Sequence, residues 1–233
     1  GEFKQGPFIP LFPLETLSND THTVQGVVKP ETVKAVESIP GHSWVGKLAS
    51  NGNREVAILI PKGVDYTQPV ELVYYFHGHN GKIARSLAHE KWGIKDTILN
   101  ETQKGRNFIL VVPQGPPKPQ HSLWLSRELT HGKEDMGRFQ AEVESLIQNQ
   151  FNSSIQFASR TVKGHSASGE TIMHAAKEGK LKADRIDFLD ASYGYWASNA
   201  YRYHIKNNPN VQMNVVYIPG SSTEDDAKHL KGK

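Results

Sequence analysis

The sequence predicts an α/β fold with a mostly parallel central sheet, an antiparallel hairpin at its N-terminal side and helices on both faces. After the hairpin, short β-branched or aromatic runs alternate with helical patterns, an order typical of a parallel sheet covered by helices. The hairpin is indicated by Asn51-Gly52 between two strand-like runs. A chain of 233 residues with 37% hydrophobic residues suits one domain with a substantial core. We expect an extended arm at residues 1–23 and a single domain at 24–233.

Composition removes several classes of function. A net charge of +3 without a basic run does not indicate nucleic-acid binding. No apolar run approaches the roughly 20 residues of a membrane-spanning helix. The absence of cysteine excludes disulfides, thiolate metal sites and a cysteine nucleophile. No cofactor is predicted, and the oligomeric state is left open. Gly1, Glu2 and Phe3 resemble residues left by cloning, compatible with removal of a leader before residue 4, and a secreted or periplasmic location is favoured.

The first half of the chain is predicted to contain a helix, the hairpin, two buried strands and an interrupted helical region. Pro30 suits the first turn of a helix that extends to residue 39. The second strand of the hairpin is followed by Val70 to Phe76, an apolar and aromatic run typical of a buried strand. The remaining elements are strands at 43–49, 54–60 and 107–112 and a helical region interrupted near Trp92-Gly93.

The second half continues the alternation. A long loop at 114–133 carries Trp124, and loops of this length are often functional. An amphipathic helix follows at 134–150. The remaining elements are a strand before residue 164, a helix to Lys177, a strand at 186–190, a helical segment at 193–207 and a last strand at 211–218.

The stretch Gly164-His165-Ser166-Ala167-Ser168 has the layout of a nucleophile elbow. In such a turn between a strand and a helix, the central serine exposes its hydroxyl, and small residues on either side let the strand and helix approach closely. Ser168 stands where glycine is usual. The alternative interpretation is an ordinary glycine-rich turn before a helix. The decision therefore depends on whether the rest of the chain supplies the other catalytic groups.

The required groups fall at the predicted carboxyl ends of strands, where parallel sheets carry their functional residues. They are His77-Gly78, Ser166, Asp190 and the segment leading to His229. Acyl transfer by a serine needs a nucleophile, a base, an orienting acid and donors to the oxyanion. The order serine, aspartate, histidine is that of the α/β-hydrolases.

On these residues the sequence resembles the α/β-hydrolase superfamily, and within it the polyhydroxybutyrate-depolymerase and feruloyl-esterase-like serine esterases. The matching segments are Arg54-Glu-Val-Ala-Ile-Leu-Ile-Pro61, Leu72-Val-Tyr-Tyr-Phe-His-Gly78, Val111-Val-Pro-Gln-Gly115 and Gly164-His-Ser-Ala-Ser-Gly169. The resemblance implies a serine esterase with Ser166 as nucleophile and the His77-Gly78 loop in the oxyanion hole. Two departures are Ser168 and the end of the chain four residues after His229, which shortens or removes the usual closing helix.

Each catalytic role has a preferred residue. Ser166 is the predicted nucleophile and Asp190 the predicted acid. Asp225 and Asp226 compete for the acid, although one loop would then have to present both acid and base. Asp187 ranks lower because it lies deeper on the same strand. His229 is the predicted base, since it is the only histidine after the last strand; the alternatives are His77, His79 and His121, on loops at the same end of the sheet.

The oxyanion donors are predicted to be the backbone N–H groups of Ala167 and of Gly78 or His79. His77 is expected to hold that loop by hydrogen bonds, and the ring of His165 to point away from the nucleophile. Four aromatic residues are candidates to line the substrate cleft: Trp124, Tyr193, Tyr195 and Trp196.

The sequence thus predicts a serine hydrolase acting on a small-molecule or polymer-linked ester, whose identity it does not give. One alternative is a metal-dependent hydrolase using His77 and His79, although no further ligands are evident. Another is a non-catalytic binding module on the same scaffold.

Overall fold

The computed structural model describes residues 20–116 and 136–231, which form an eight-stranded sheet with the order β1-β2-β3-β5-β4-β6-β7-β8. The strands are β1 (Thr21–Val24), β2 (Gly41–Leu48), β3 (Arg54–Pro61), β4 (Val70–Phe76), β5 (Phe108–Pro113), β6 (Phe157–His165), β7 (Arg185–Leu189) and β8 (Gln212–Val216). The helices are α1 (Pro30–Glu37), α2 (Ile83–Ala88), α3 (Lys95–Gln103), α4 (Met136–Gln150), α5 (Ser168–Lys177), α6 (Trp196–His204) and α7 (Glu224–Leu230).

The strand directions confirm the predicted fold. β3 runs antiparallel to both β2 and β5, and all other neighbouring strands are parallel. The β2–β3 connection is a short 3₁₀ turn at Ala49–Asn51. It is completed by Gly52 and Asn53 with φ of 63° and 56°. The left-handed backbone thus falls one residue later than a two-residue turn on Asn51-Gly52 would place it, at a glycine and an asparagine, which adopt it at low cost.

β1 is the one strand that the sequence did not predict. It spans the boundary expected between the arm and the domain, and it pairs in parallel with β2. Three of its four residues are exposed. Such a short edge strand carries no alternation of apolar and polar residues, which is the signal on which sequence prediction depends.

Two clusters of buried side chains lie on opposite faces of the sheet. Alternate residues of a strand point to opposite faces, and β3 supplies Val56, Ile58 and Ile60 to one cluster and Ala57 and Leu59 to the other. The first cluster includes the apolar sides of α4, α5 and α6, and the second those of α1, α2 and α3. In the described ranges, no helix is long and apolar enough to cross a membrane.

The central strands place the predicted site at one edge of the sheet. Phe76 pairs with Gly164 across β4 and β6, and His165 pairs with Leu189 across β6 and β7. Because these strands are parallel, the residues that follow them emerge side by side. The residue directly after β4 is His77, the residue directly after β6 is Ser166, and the residue directly after β7 is Asp190.

Candidate active site

Ser166 lies at a tight turn between β6 and α5. Its φ is 54°, and its N–H donates to the carbonyl of Leu189 at 3.2 Å. A non-glycine residue with this left-handed backbone is uncommon and is found where surrounding structure holds it in place, often at functional sites. The strand, turn and helix expected for the elbow are therefore present.

The small residues around Ser166 are required by close packing. A Cβ on Gly169 would lie 1.8 Å from the carbonyl oxygen of Ala191, and one on Gly164 would lie 2.5 Å from Cδ1 of Ile172. Ser168, in contrast, is accommodated. Its buried hydroxyl lies 2.9 Å from the carbonyl oxygens of both Phe76 and His165. The departure from glycine therefore adds a hydrogen-bonding group between the ends of β4 and β6.

The loop after β4 is held by the buried side chain of His77. Nε2 accepts the N–H of Gly115 at 2.9 Å, so the ring proton lies on Nδ1, which donates to the carbonyl of Gly78 at 2.8 Å. Burial lowers the pKa of His77 to about 4, and the ring is neutral at pH 7. His77 therefore fixes the loop, as the sequence predicted.

Gln114 is a second support of this loop, and sequence reasoning did not identify it. Its side-chain nitrogen donates to the carbonyl of Gly81 at 3.0 Å, and its side-chain oxygen accepts the N–H of Ile83 at 3.2 Å. Its position directly after β5 could have indicated this role, because parallel sheets carry their functional residues at the carboxyl ends of strands.

Ser166 borders a cavity of about 420 Å³. This volume lies within the usual range for small-molecule sites. Other residues along its wall are Gly78, His79, Arg85, Trp92 and His165. Nδ1 of His165 lies 3.0 Å from the position that a Cβ on Gly78 would take, so the ring lies against the loop after β4. Desolvation lowers the pKa of His165, and the carboxylate of Asp190 opposes this change.

Asp190 follows β7 as Ser166 follows β6, and its φ is also positive, at 48°. Its N–H donates to the carbonyl of Val216 at 2.7 Å, and its Oδ1 accepts the hydroxyl of Thr223 at 2.5 Å. The structure thus places Asp190 on the strand end adjacent to the elbow, with its carboxylate already oriented by a hydroxyl donor.

The competing acids have other surroundings. Asp226 is buried and accepts the N–H groups of Ala197 at 3.0 Å and Ser198 at 3.1 Å, together with the hydroxyls of Ser192 and Ser198. It therefore caps the N-terminus of α6. Asp225 is exposed.

Asp187 is bound by Lys163, Arg185 and Asn214, whose hydrogen bonds lower its pKa even though burial alone would raise it. These contacts occupy the carboxylate within β7, three residues before Asp190 in the chain.

His229 lies on α7, exposed, with its ring edge-on to that of Tyr195 at a centroid distance of 5.6 Å. It borders a separate cavity of about 400 Å³, whose wall also includes Arg202. Ser166 does not line this cavity, and His229 does not line the cavity beside Ser166. The structure therefore brings Ser166 and Asp190 to neighbouring positions and leaves His229 beside a different cavity.

The aromatic residues predicted to line the cleft do not all lie in the described part of the chain, and those that do are not at the Ser166 cavity. Tyr193 and Trp196 pack edge to face with ring centroids 5.6 Å apart, and neither borders the cavity beside Ser166. Trp124 and the further histidine His121 lie outside the described residues. Trp92, which the sequence did not select, borders the cavity with 71% of its surface exposed.

A metal site finds no support at His77. Its one lone-pair nitrogen already accepts the N–H of Gly115, and the other nitrogen carries a proton. Within residues 20–116 and 136–231, no group of three or more histidine or carboxylate side chains is arranged to hold a metal ion.

Solved structures share this fold. A protein called FAE matches with a TM-score of 0.54 at 13% identity, covering 80% of this chain and 69% of that one. A mutant of the feruloyl esterase module from Clostridium thermocellum, complexed with sinapinate, matches with a TM-score of 0.52 at 13% identity, covering 76% and 66%. No protein-family model and no curated protein matches the sequence. The chain has an α/β-hydrolase-like fold and spans about two thirds of these two structures.

Proposed function

We propose that this chain is a serine hydrolase that cleaves a carboxylic ester through Ser166. The observation that carries the proposal is the position of Ser166, at a left-handed turn between β6 and α5 and on the wall of a cavity shared with Gly78. A serine held in this way presents its hydroxyl to a bound molecule, and a loop carrying backbone N–H groups lies against it.

The reaction follows from these positions. Ser166 Oγ attacks the ester carbonyl carbon while a base removes the hydroxyl proton, and the carbonyl oxygen becomes an oxyanion. The N–H of Ala167 and that of Gly78 or His79 donate to this oxyanion. Ala167 is suited to this role because it immediately precedes α5, where N–H groups lack partners within the helix. Collapse expels the alcohol, which takes the proton from the base, and water then hydrolyses the acyl-enzyme.

The acid in this proposal is Asp190, which emerges beside Ser166 and is not committed to capping a helix. Two histidines are candidates for the base. His229 follows the last strand, as the serine–aspartate–histidine order requires, whereas His79 borders the cavity of Ser166. His77 is unsuited, because its accepting nitrogen is occupied and burial lowers its pKa to about 4.

Esters are the proposed substrates, on a small molecule or a polymer. The similarity to a feruloyl esterase module supports the choice of scaffold, and the exposed Trp92 supplies an apolar wall for an acyl or alcohol group. Export from the cell remains part of the proposal, on the sequence argument alone.

The test is labelling by a fluorophosphonate combined with hydrolysis of a panel of aryl esters. Wild type should be labelled once and should turn over at least one ester, whereas Ser166→Ala should do neither while retaining its circular dichroism spectrum. Ser145→Ala, on the exposed side of α4, is the matched control and should behave as wild type. Hydrolysis that survives in Ser166→Ala above about a hundredth of wild-type kcat contradicts the mechanism.

A further inference from the structure

The cavity beside Ser166 has an unbalanced charge. Of its lining residues in the described ranges, Arg85 is the only lysine, arginine, aspartate or glutamate. Two of the histidines on the wall do not add to that charge at neutral pH, because burial lowers the pKa of His77 to about 4 and desolvation lowers that of His165. A cleft lined by one sign of charge attracts ligands of the opposite sign.

Three other arginines have carboxylate partners in the described ranges, whereas Arg202 bonds Asn199 and Tyr203 instead. Arg106 pairs with Glu71, Arg160 with Glu144 and Arg185 with Asp187, at nitrogen–oxygen distances of 2.6 to 2.8 Å. No carboxylate is paired with Arg85 in the part of the chain that the structure describes. Its guanidinium, which is always charged, is therefore available to a ligand.

The backbone that carries Arg85 is fixed. Ile83 and Leu87, on either side of it in α2, are both fully buried. The N–H of Ile83 donates to the side chain of Gln114, which also binds the loop carrying Gly81. The backbone at Arg85 is therefore held by the same side chain, that of Gln114, that supports the proposed oxyanion loop.

We propose that the cavity is an anion-selective subsite, in which Arg85 binds a carboxylate carried by the ester substrate while Ser166 attacks its carbonyl carbon. The proposal rests on the proposed function and adds the chemical class of the substrate. The guanidinium suits a carboxylate because its planar fork donates two parallel hydrogen bonds. Trp92 lies on the same wall and contacts the uncharged part of the ligand.

The experiment compares two pairs of aryl esters. In the first pair the acyl chain ends in a carboxylate or a methyl group (4-nitrophenyl hemiglutarate and 4-nitrophenyl hexanoate). In the second pair the charge is on the leaving alcohol (4-acetoxybenzoate and 4-methylphenyl acetate). The readout is the charged-to-neutral ratio of kcat/KM in wild type divided by the same ratio in Arg85→Gln, so that intrinsic reactivity cancels.

For at least one pair we expect this quotient to be roughly fivefold at low salt, the size of a partly exposed charge pair, and to shrink as salt screens the interaction. Arg85→Lys should retain part of the preference. Lys91→Gln removes a neighbouring exposed positive charge that does not border the cavity, and it should leave the ratio unchanged.

A quotient near one for both pairs overturns the proposal, as does an equal loss of preference in Lys91→Gln, which would reveal a general charge effect. Failure of the proposed function is separately visible. In that case neither neutral ester is hydrolysed, and the fluorophosphonate does not label Ser166.

Discussion

Gly78 lies directly against Ser166: a Cβ on Gly78 would fall 2.8 Å from the Cβ of Ser166 and 3.0 Å from Nδ1 of His165. Neither neighbour can retreat easily, because Ser166 is held by its turn and His165 ends β6. The loop after β4 therefore approaches the nucleophile as closely as a glycine allows, and a larger residue must move the loop.

Gly78→Ala should lower kcat by about 10² to 10³, because displacing the loop removes an oxyanion donor. Hydrolysis of a neutral aryl ester measures the effect. Gly105→Ala is the control: its Cβ would meet no atom within 4 Å, and because its φ of 78° strains an alanine, we expect a modest loss of stability with kcat unchanged. Wild-type kcat in Gly78→Ala would show that this loop does not contribute to catalysis.

Asp190→Asn and Asp226→Asn should separate catalysis from stability. Asp190→Asn should lose about 10⁴ in kcat with little change in the melting temperature, because an amide no longer stabilises the charged base. Asp226→Asn should lower the melting temperature, since it weakens the buried cap of α6. Asp225→Asn, at an exposed position, is the control for both measurements. A near-normal kcat in Asp190→Asn would show that Asp190 is not the catalytic acid and would reassign that role to Asp225 or Asp226.

The base is identified by comparing His229→Gln and His79→Gln. In wild type, kcat/KM should rise with pH through the titration of a single group, because the base must be neutral to accept the Ser166 proton. The histidine whose replacement abolishes both the activity and this rise of kcat/KM with pH is the base. A pH dependence that persists unchanged in both variants would exclude both histidines and direct attention to His165, which borders the same cavity, and to His121.

His77 should make stability depend on pH. Its pKa falls from 6.5 in the unfolded chain to about 4 in the fold, chiefly through burial. The unfolded state therefore binds the proton more readily, and the free energy of unfolding is highest above pH 6.5 and declines as pH falls towards 4. Between pH 7 and pH 5 the loss from this group is about 2 kcal/mol. Urea unfolding at the two pH values measures it, and a wild-type decline no larger than that of His77→Gln would contradict the assignment.

The fold was predictable because each central strand is a short apolar or aromatic run and each following helix has an amphipathic pattern. The elbow was predictable for the same reason, as its strand, turn and helix are consecutive in sequence. The hydrogen bonds of Asp190 and Asp226 were not, because their partners lie 28 to 34 residues away along the chain. The hydrogen bonds of Ser168 to Phe76 and of Gln114 to Gly81 likewise join separate strand ends, which no local pattern reports.

The cap formed by Asp226 makes the last two helices depend on each other. Its carboxylate sits on α7 and accepts the first N–H groups of α6, so amides of both helices should exchange with solvent through one shared opening event. A chain trimmed after residue 223 would lose the hydrogen bonds of Asp226 and expose the start of α6 to proteases. A chain trimmed after residue 228 keeps these hydrogen bonds and, among the proposed catalytic groups, removes His229 alone. The position of Asp226 thus sets how far the C-terminus can be shortened before a loss of activity also becomes a loss of folding.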